Sequence, residues 1–169
     1  PLDDLPSFPD LLEVVMEVTF AEIDRQNGRF AEGQRRLEEA LGRPTSAKGQ
    51  STLRIALADL HLAWAKNLEN RYAYQDAITH YQAAFAIDRL DRRSTAGVDL
   101  GYIALEDRAQ HQYAQALTFF EQALVIARAG GDRDIEGINL AYLGEVYLAQ
   151  GQYAQALTFF EQALIIVGK

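Results

Sequence analysis

The thirteen residues QYAQALTFFEQAL occupy positions 112–124 and return unchanged at 152–164, an offset of 40 positions. A fixed offset of this size marks an array of like units, each a supersecondary element that buries its apolar face on its neighbours. Such arrays serve as binding surfaces far more often than as active sites.

The second copy shows the unit best. Leu140, Leu143, Val146 and Tyr147 recur at helical spacing until Gly151 interrupts them. Ala156, Phe159, Phe160, Ala163 and Leu164 then share one face of a second helix. The unit is a helix, a tight glycine turn and an antiparallel helix. Gly144 and Ala156 are small, as they must be where packed helix axes come within roughly 8–10 Å.

Sliding this template back by 40 positions finds Tyr113 to Leu124 preceded by Leu100, Ile103 and Ala104. Asp107 stands there in place of the tyrosine and His111 in place of the turn glycine, which predicts an irregular turn. A further step finds Tyr74, Ala77, Tyr81, Ala84 and Phe85 after His61, Trp64, Ala65 and Leu68. The last step gives Gly28, Phe30, Gly33, Leu37, Ala40 and Leu41 after Val14, Phe20, Ala21 and Ile23. The position of Ala156 is thus held by Gly33, Ala77, Ala116 and Ala156, spaced by 44, 39 and 40 residues and small every time.

The linkers agree with this register. Gly130-Gly131-Asp132 reads as a helix stop followed by an N-cap, and residues 42–46 and 91–94 have the same character. Ser7, with Asp10 three residues later, reads as a cap for a first helix.

Leu143, Gly144, Tyr147, Gly151, Tyr153, Ala156, Phe160 and Ala163 fall at the signature positions of the tetratricopeptide repeat, which the chain closely resembles from about residue 7 onwards. Leu140 replaces the family's usual Trp, and Gly168 stands where its closing Pro would be. Units near 40 residues with a Gly-Asp-Arg linker resemble the long-unit subgroup, which includes polarity adaptors and many bacterial signalling and regulatory proteins. The resemblance implies an all-α, right-handed superhelical solenoid of antiparallel helix pairs. Residues 1–169 form one domain in this reading, with repeats at about 7–44, 51–90, 95–129 and 134–168.

In this family the first helix of each pair lines a concave groove and the second forms the outer wall. Carrying over the groove offsets selects Val15, Val18, Glu22 and Arg25 from the first repeat, and Asp59, Leu62, Lys66 and Glu69 from the second. The third contributes Val98, Gly101, Leu105 and Arg108; the fourth, Ile138, Ala141, Glu145 and Leu148. Aliphatic residues flanked by charges of both signs suit an extended peptide or an amphipathic helix. Apolar helix faces more often mean core, so packing against the next repeat is the competing reading for each aliphatic. Some members clamp a partner's C-terminal carboxylate with Lys and Asn. Here Lys66 is the single Lys among these positions, and Asn139 is expected off the groove face, which disfavours that mode.

Composition narrows the rest. A net charge of −8 opposes nucleic-acid binding, which needs a basic footprint. The excess acid is concentrated in residues 1–41, with four Arg against ten acids. The absence of cysteine excludes thiolate zinc sites and cysteine nucleophiles, and fits a cytoplasmic protein. No apolar run is long enough to span a membrane. His61, His80 and His111 show no metal spacing and read as structural. Asp132, Asp134 and Glu136 lack the spacing of a calcium loop and read as caps and surface charge. No catalytic constellation or cofactor site emerges.

The expected function is a non-enzymatic scaffold that binds a protein or peptide. The alternative is a sensor module of a larger bacterial transcription regulator or signalling ATPase or protease. The ends, Pro1 and Leu164-Ile165-Ile166-Val167-Gly168-Lys169, read as those of a fragment. Solenoids normally finish in a helix with a polar outer face. The last helix here is apolar, so it is expected to be covered by a further repeat or by another copy of the chain.

Overall fold

The structure, a computed structural model, describes residues 8–91, 93 and 95–168. The described residues form eight helices: α1 (Phe8–Gln26), α2 (Phe30–Leu41), α3 (Ala47–Glu69), α4 (Tyr74–Leu90), α5 (Thr95–Ala109), α6 (Tyr113–Gly130), α7 (Arg133–Ala149) and α8 (Tyr153–Val167). No strand occurs among them, and the fold is all-α. The chain divides into two compact units, Pro1–Ile87 and Asp88–Lys169.

One turn geometry recurs within every helix pair. Gly28, Tyr72, His111 and Gly151 have φ of 72°, 61°, 61° and 73°, all in the left-handed region. The next residue's N–H then reaches the carbonyl five positions back: Arg29 to Asp24, Ala73 to Leu68, Gln112 to Asp107 and Gln152 to Tyr147, at 2.8–3.0 Å. This left-handed closure satisfies carbonyls that the end of a helix would otherwise orphan. The irregular turn expected at His111 is therefore corrected. The hydrogen bonds that close the turn outweigh the roughly 1–2 kcal/mol that a side chain costs in this conformation. His111 Nδ1 also meets the Tyr113 hydroxyl at 2.8 Å.

In the first unit, Val14 and Ala21 of α1, Leu37 and Ala40 of α2, and Leu53, Leu57 and Leu60 of α3 form the core. Ser46 caps α3 by accepting from Gly49 N at 3.1 Å, whereas the cap expected at Ser7 lies outside the described residues. Asp24 is buried and accepts from Arg29 Nη2 at 2.6 Å and from Arg36 Nε at 3.3 Å. Phe20 and Ile23, which the template places with the packed residues, are instead exposed. Among the described residues no helix precedes α1 to cover them.

In the second unit, Ala104 of α5, Ala116, Phe120 and Leu124 of α6, Leu140, Leu143 and Val146 of α7, and Ala163 of α8 share one cluster. The close approach expected at Gly144 is real: a Cβ there would lie 2.7 Å from the Phe160 ring. Gly131 ends α6 with φ 70°, and Asp132 caps α7 by accepting from Ile135 N at 3.0 Å. Glu136 pairs with Arg128 at 2.8 Å, so two of the three linker acids serve helix ends and packing.

Candidate partner-binding groove

The first helix of each pair supplies the residues singled out for the groove, and within each unit four of the eight line one depression. In the first unit, Val18, Ala21, Glu22 and Arg25 of α1 face Ala56, Asp59 and Leu60 of α3 across a hollow of about 160 Å³. Its charged rim is ordered by helical spacing: Arg25 forks onto Glu22, Nε to Oε2 at 2.6 Å and Nη2 to Oε1 at 2.5 Å. Those bonds, with a further one from Gln26, hold the Glu22 carboxyl below its usual range, and they raise the Arg25 guanidinium. Val15, Asp59 and Lys66 are exposed and Leu62 is half-buried; Val15, Leu62 and Lys66 do not line the hollow.

In the second unit, Gly97, Val98, Gly101, Tyr102 and Leu105 of α5 face Ile135, Ile138, Asn139 and Tyr142 of α7 around a hollow of about 200 Å³. Gly101 opens the floor: the nearest atom to a Cβ there would be Asn139 Oδ1, at 3.6 Å. Arg108 pairs with Glu145 from α5 to α7, and its guanidinium lies 5.9 Å from the Tyr142 ring centre. The hollow thus has aliphatic and aromatic walls with one ion pair beside it. Ile138 and Leu148 are exposed; Val98, Leu105, Arg108 and Glu145 are half-buried.

None of the sixteen residues singled out from the sequence for the groove is buried in the core. Sequence reasoning missed Ala21, Ala56 and Leu60 in the first unit, and Gly97, Tyr102, Ile135 and Tyr142 in the second. Asn139, expected off the groove, lines it; the side chain is buried and donates to Ile135 O at 2.9 Å.

Two of the three histidines, read from the sequence as structural, pack against each other. His61, on α3, and His80, on α4, meet Nδ1 to Nδ1 at 2.9 Å, and the His80 ring stacks on Trp64, which stacks on Phe30. Burial, with His80 alongside, pushes His61 down to about 4, so one neutral ring donates to the other. Among the described residues no group of three or more His, Cys, Asp or Glu could hold a metal ion, and the pair acts as a packed polar contact. No helix among them is long and apolar enough to cross a membrane.

Comparison with known proteins fits this architecture. Residues 94–166 match the family model described as Tetratricopeptide repeat. No curated protein matches the sequence significantly. Among solved structures, aspartyl phosphate phosphatase F from Bacillus subtilis is 16% identical, with a TM-score of 0.66 over 90% of this chain and 39% of its own. The apo form of RapI is 14% identical, with a TM-score of 0.69 over 93% of this chain and 43% of its own. A kinesin-light-chain-type protein from Podospora anserina with nearly identical TPR-like repeats is 20% identical, with a TM-score of 0.52 over 95% of this chain and 76% of its own. The chain therefore spans about two fifths of the first two proteins. At these identities the likenesses speak for the fold alone. The signature residues, the recurring turn, the family match and the helical architecture agree: residues 94–166 carry tetratricopeptide repeats, within a fold that is all-α over the described residues.

Proposed function

We propose that this chain is a non-enzymatic interaction module that holds a peptide or helical segment of a partner protein against its first-helix faces. The hollow between α5 and α7 supports this reading most directly. It combines Val98, Leu105, Ile138 and two tyrosines with an adjacent Arg108–Glu145 ion pair, and it is large enough for one bulky apolar side chain. Asp59, Lys66, Glu22 and Arg25 offer polar contacts to the same class of ligand in the first unit. A cytoplasmic location belongs to the proposal, in keeping with the cysteine-free composition.

The test is affinity capture from the native source with the intact chain and with Ile138→Asp. Ile138 is exposed, so its replacement leaves the core untouched, whereas Leu105 packs against the core cluster. Loss of specific partners with unchanged helicity supports the groove; unchanged capture overturns it.

A second reading rests on the coverage of two of these neighbours. The chain matches about two fifths of an aspartyl phosphate phosphatase and of RapI, as a repeat module within a larger regulator would. In that case partner binding at the same faces serves regulation of an attached or associated signalling protein. Co-capture of such a protein favours this second reading.

A further inference from the structure

Packing does not require a glycine at position 101. Gly101 lies inside α5 and has no left-handed φ. A Cβ there would meet one atom within 4 Å, Asn139 Oδ1, at the ordinary contact distance of 3.6 Å. A helix interior favours alanine over glycine. Gly144, by contrast, is kept small by the Phe160 ring, 2.7 Å from where its Cβ would be. The bare backbone at Gly101 instead leaves the floor of the α5–α7 hollow open down to Asn139.

Asn139 supplies the polar atom of that floor, although the residue is only 2% exposed. Its Nδ2 donates to Ile135 O at 2.9 Å, which leaves Oδ1 as the atom nearest to Gly101. Oδ1 accepts no hydrogen bond among the described residues. A buried carbonyl oxygen without a donor costs free energy until one is supplied. Val98, Leu105, Ile135 and Ile138 are the aliphatic part of the lining, and Tyr102 and Tyr142 the aromatic part. An aliphatic side chain entering here would strip water from Oδ1 and return no hydrogen bond. A cationic one would meet Arg108, whose guanidinium already lies 5.9 Å from the Tyr142 ring centre.

We propose that the α5–α7 hollow selects an aromatic side chain of the partner with a neutral donor on its rim, tyrosine or tryptophan, whose O–H or N–H is given to Asn139 Oδ1. The proposal rests on the partner-binding reading of this hollow and deepens it. The size agrees, since about 200 Å³ is the volume of roughly seven liquid waters, which one ring system can displace. Rings pack offset or edge-on against aromatic walls such as Tyr102 and Tyr142. Gly101 then determines specificity, because any side chain there would stand between the ligand and the acceptor.

Nuclear magnetic resonance titration of the intact chain with p-cresol and with p-xylene tests this. The two probes are near-isosteres that differ by a hydroxyl against a methyl. A purely apolar hollow would hold p-xylene more tightly, because methyl burial is favourable. Here p-cresol is expected to bind about tenfold more tightly, at millimolar concentrations, shifting the Gly101 N–H and the Asn139 side-chain amide. Gly101→Ala is expected to melt at a higher temperature than the parent and yet bind p-cresol more weakly. Asn139→Leu, with helicity confirmed by circular dichroism, is expected to erase the preference for p-cresol. Binding of p-xylene as tight as that of p-cresol overturns the proposal, as does the absence of shifts with either probe. Undiminished p-cresol binding by Gly101→Ala overturns it too, and that comparison stands even where Asn139→Leu fails to fold. A reversed probe order with partner capture still lost in Ile138→Asp refutes the donor preference alone, whereas capture that survives Ile138→Asp refutes the groove reading beneath it.

Discussion

Asp24 and Asp107 occupy the same place in the repeat, five residues before the residue that follows the left-handed turn, and both are buried. Their carboxyls are nevertheless pushed in opposite directions. Hydrogen bonding by Arg29, then Arg36, outweighs burial at Asp24 and lowers it. At Asp107 burial acts unopposed and raises it, and Oδ2 has no hydrogen-bond partner. A lowered folded-state value stabilises the fold above the ordinary carboxylate range, and that gain is lost as pH falls through the folded value. A raised value does the reverse: the ionised form costs stability at neutral pH, and protonation relieves the cost on acidification. Asp24→Asn is therefore expected to lose about 1 kcal/mol at neutral pH and less in acid. Asp107→Asn is expected to gain stability at neutral pH, the gain fading as pH falls. Denaturant unfolding of both variants across the acid range checks the two signs. The sequence shows both acids and their shared register. It does not show that only the first has arginines within reach, because Arg36 comes from the next helix.

At the scale of the element, the pairs of helices were legible and their turns only partly so. Gly33, Ala77, Ala116 and Ala156 are all buried, as a small-residue position at a close helix contact requires. Helix starts at Ser46 and Asp132 follow from side chains that accept the N–H three residues on. The turns at Tyr72 and His111 were not legible. A left-handed conformation is expected of glycine, and backbone closure overrode that preference twice. Tyr72 is exposed and its ring meets only the edge of Tyr74 nearby, so the hydroxyl and ring are dispensable to the core. Tyr72→Gly is expected to stabilise the chain by about 0.5–1 kcal/mol, the relief of strain exceeding the entropy glycine adds to the unfolded state. Thermal melting checks this, and a lower melting temperature contradicts the strain argument. The contact between His61 and His80 was hidden for a different reason. It joins residues 19 positions apart on two helices, and only their relative rotation brings the rings together.

For the whole molecule, the repeat identified the scaffold, while the proposed binding surface depends on residues that do not repeat. The identical segments lie on α6 and α8, and the hollow of the second unit is lined by α5 and α7, whose sequences differ. Offsets carried over from the family found Val98, Leu105 and Ile138 but missed Tyr102 and Tyr142, which turn toward the hollow beside them. Aromatic residues at helical spacing read as core in a sequence, and Tyr142 does stack on core Phe120 while also lining the hollow. Photo-crosslinking tests the groove most directly. A photoreactive residue is placed at Ile138 in the hollow or at Thr118 on the exposed face of α6, in the intact chain mixed with extract of its native source. A discrete partner adduct from Ile138 and none from Thr118 is the predicted result; an adduct from Thr118 with none from Ile138 would contradict binding at the first-helix faces.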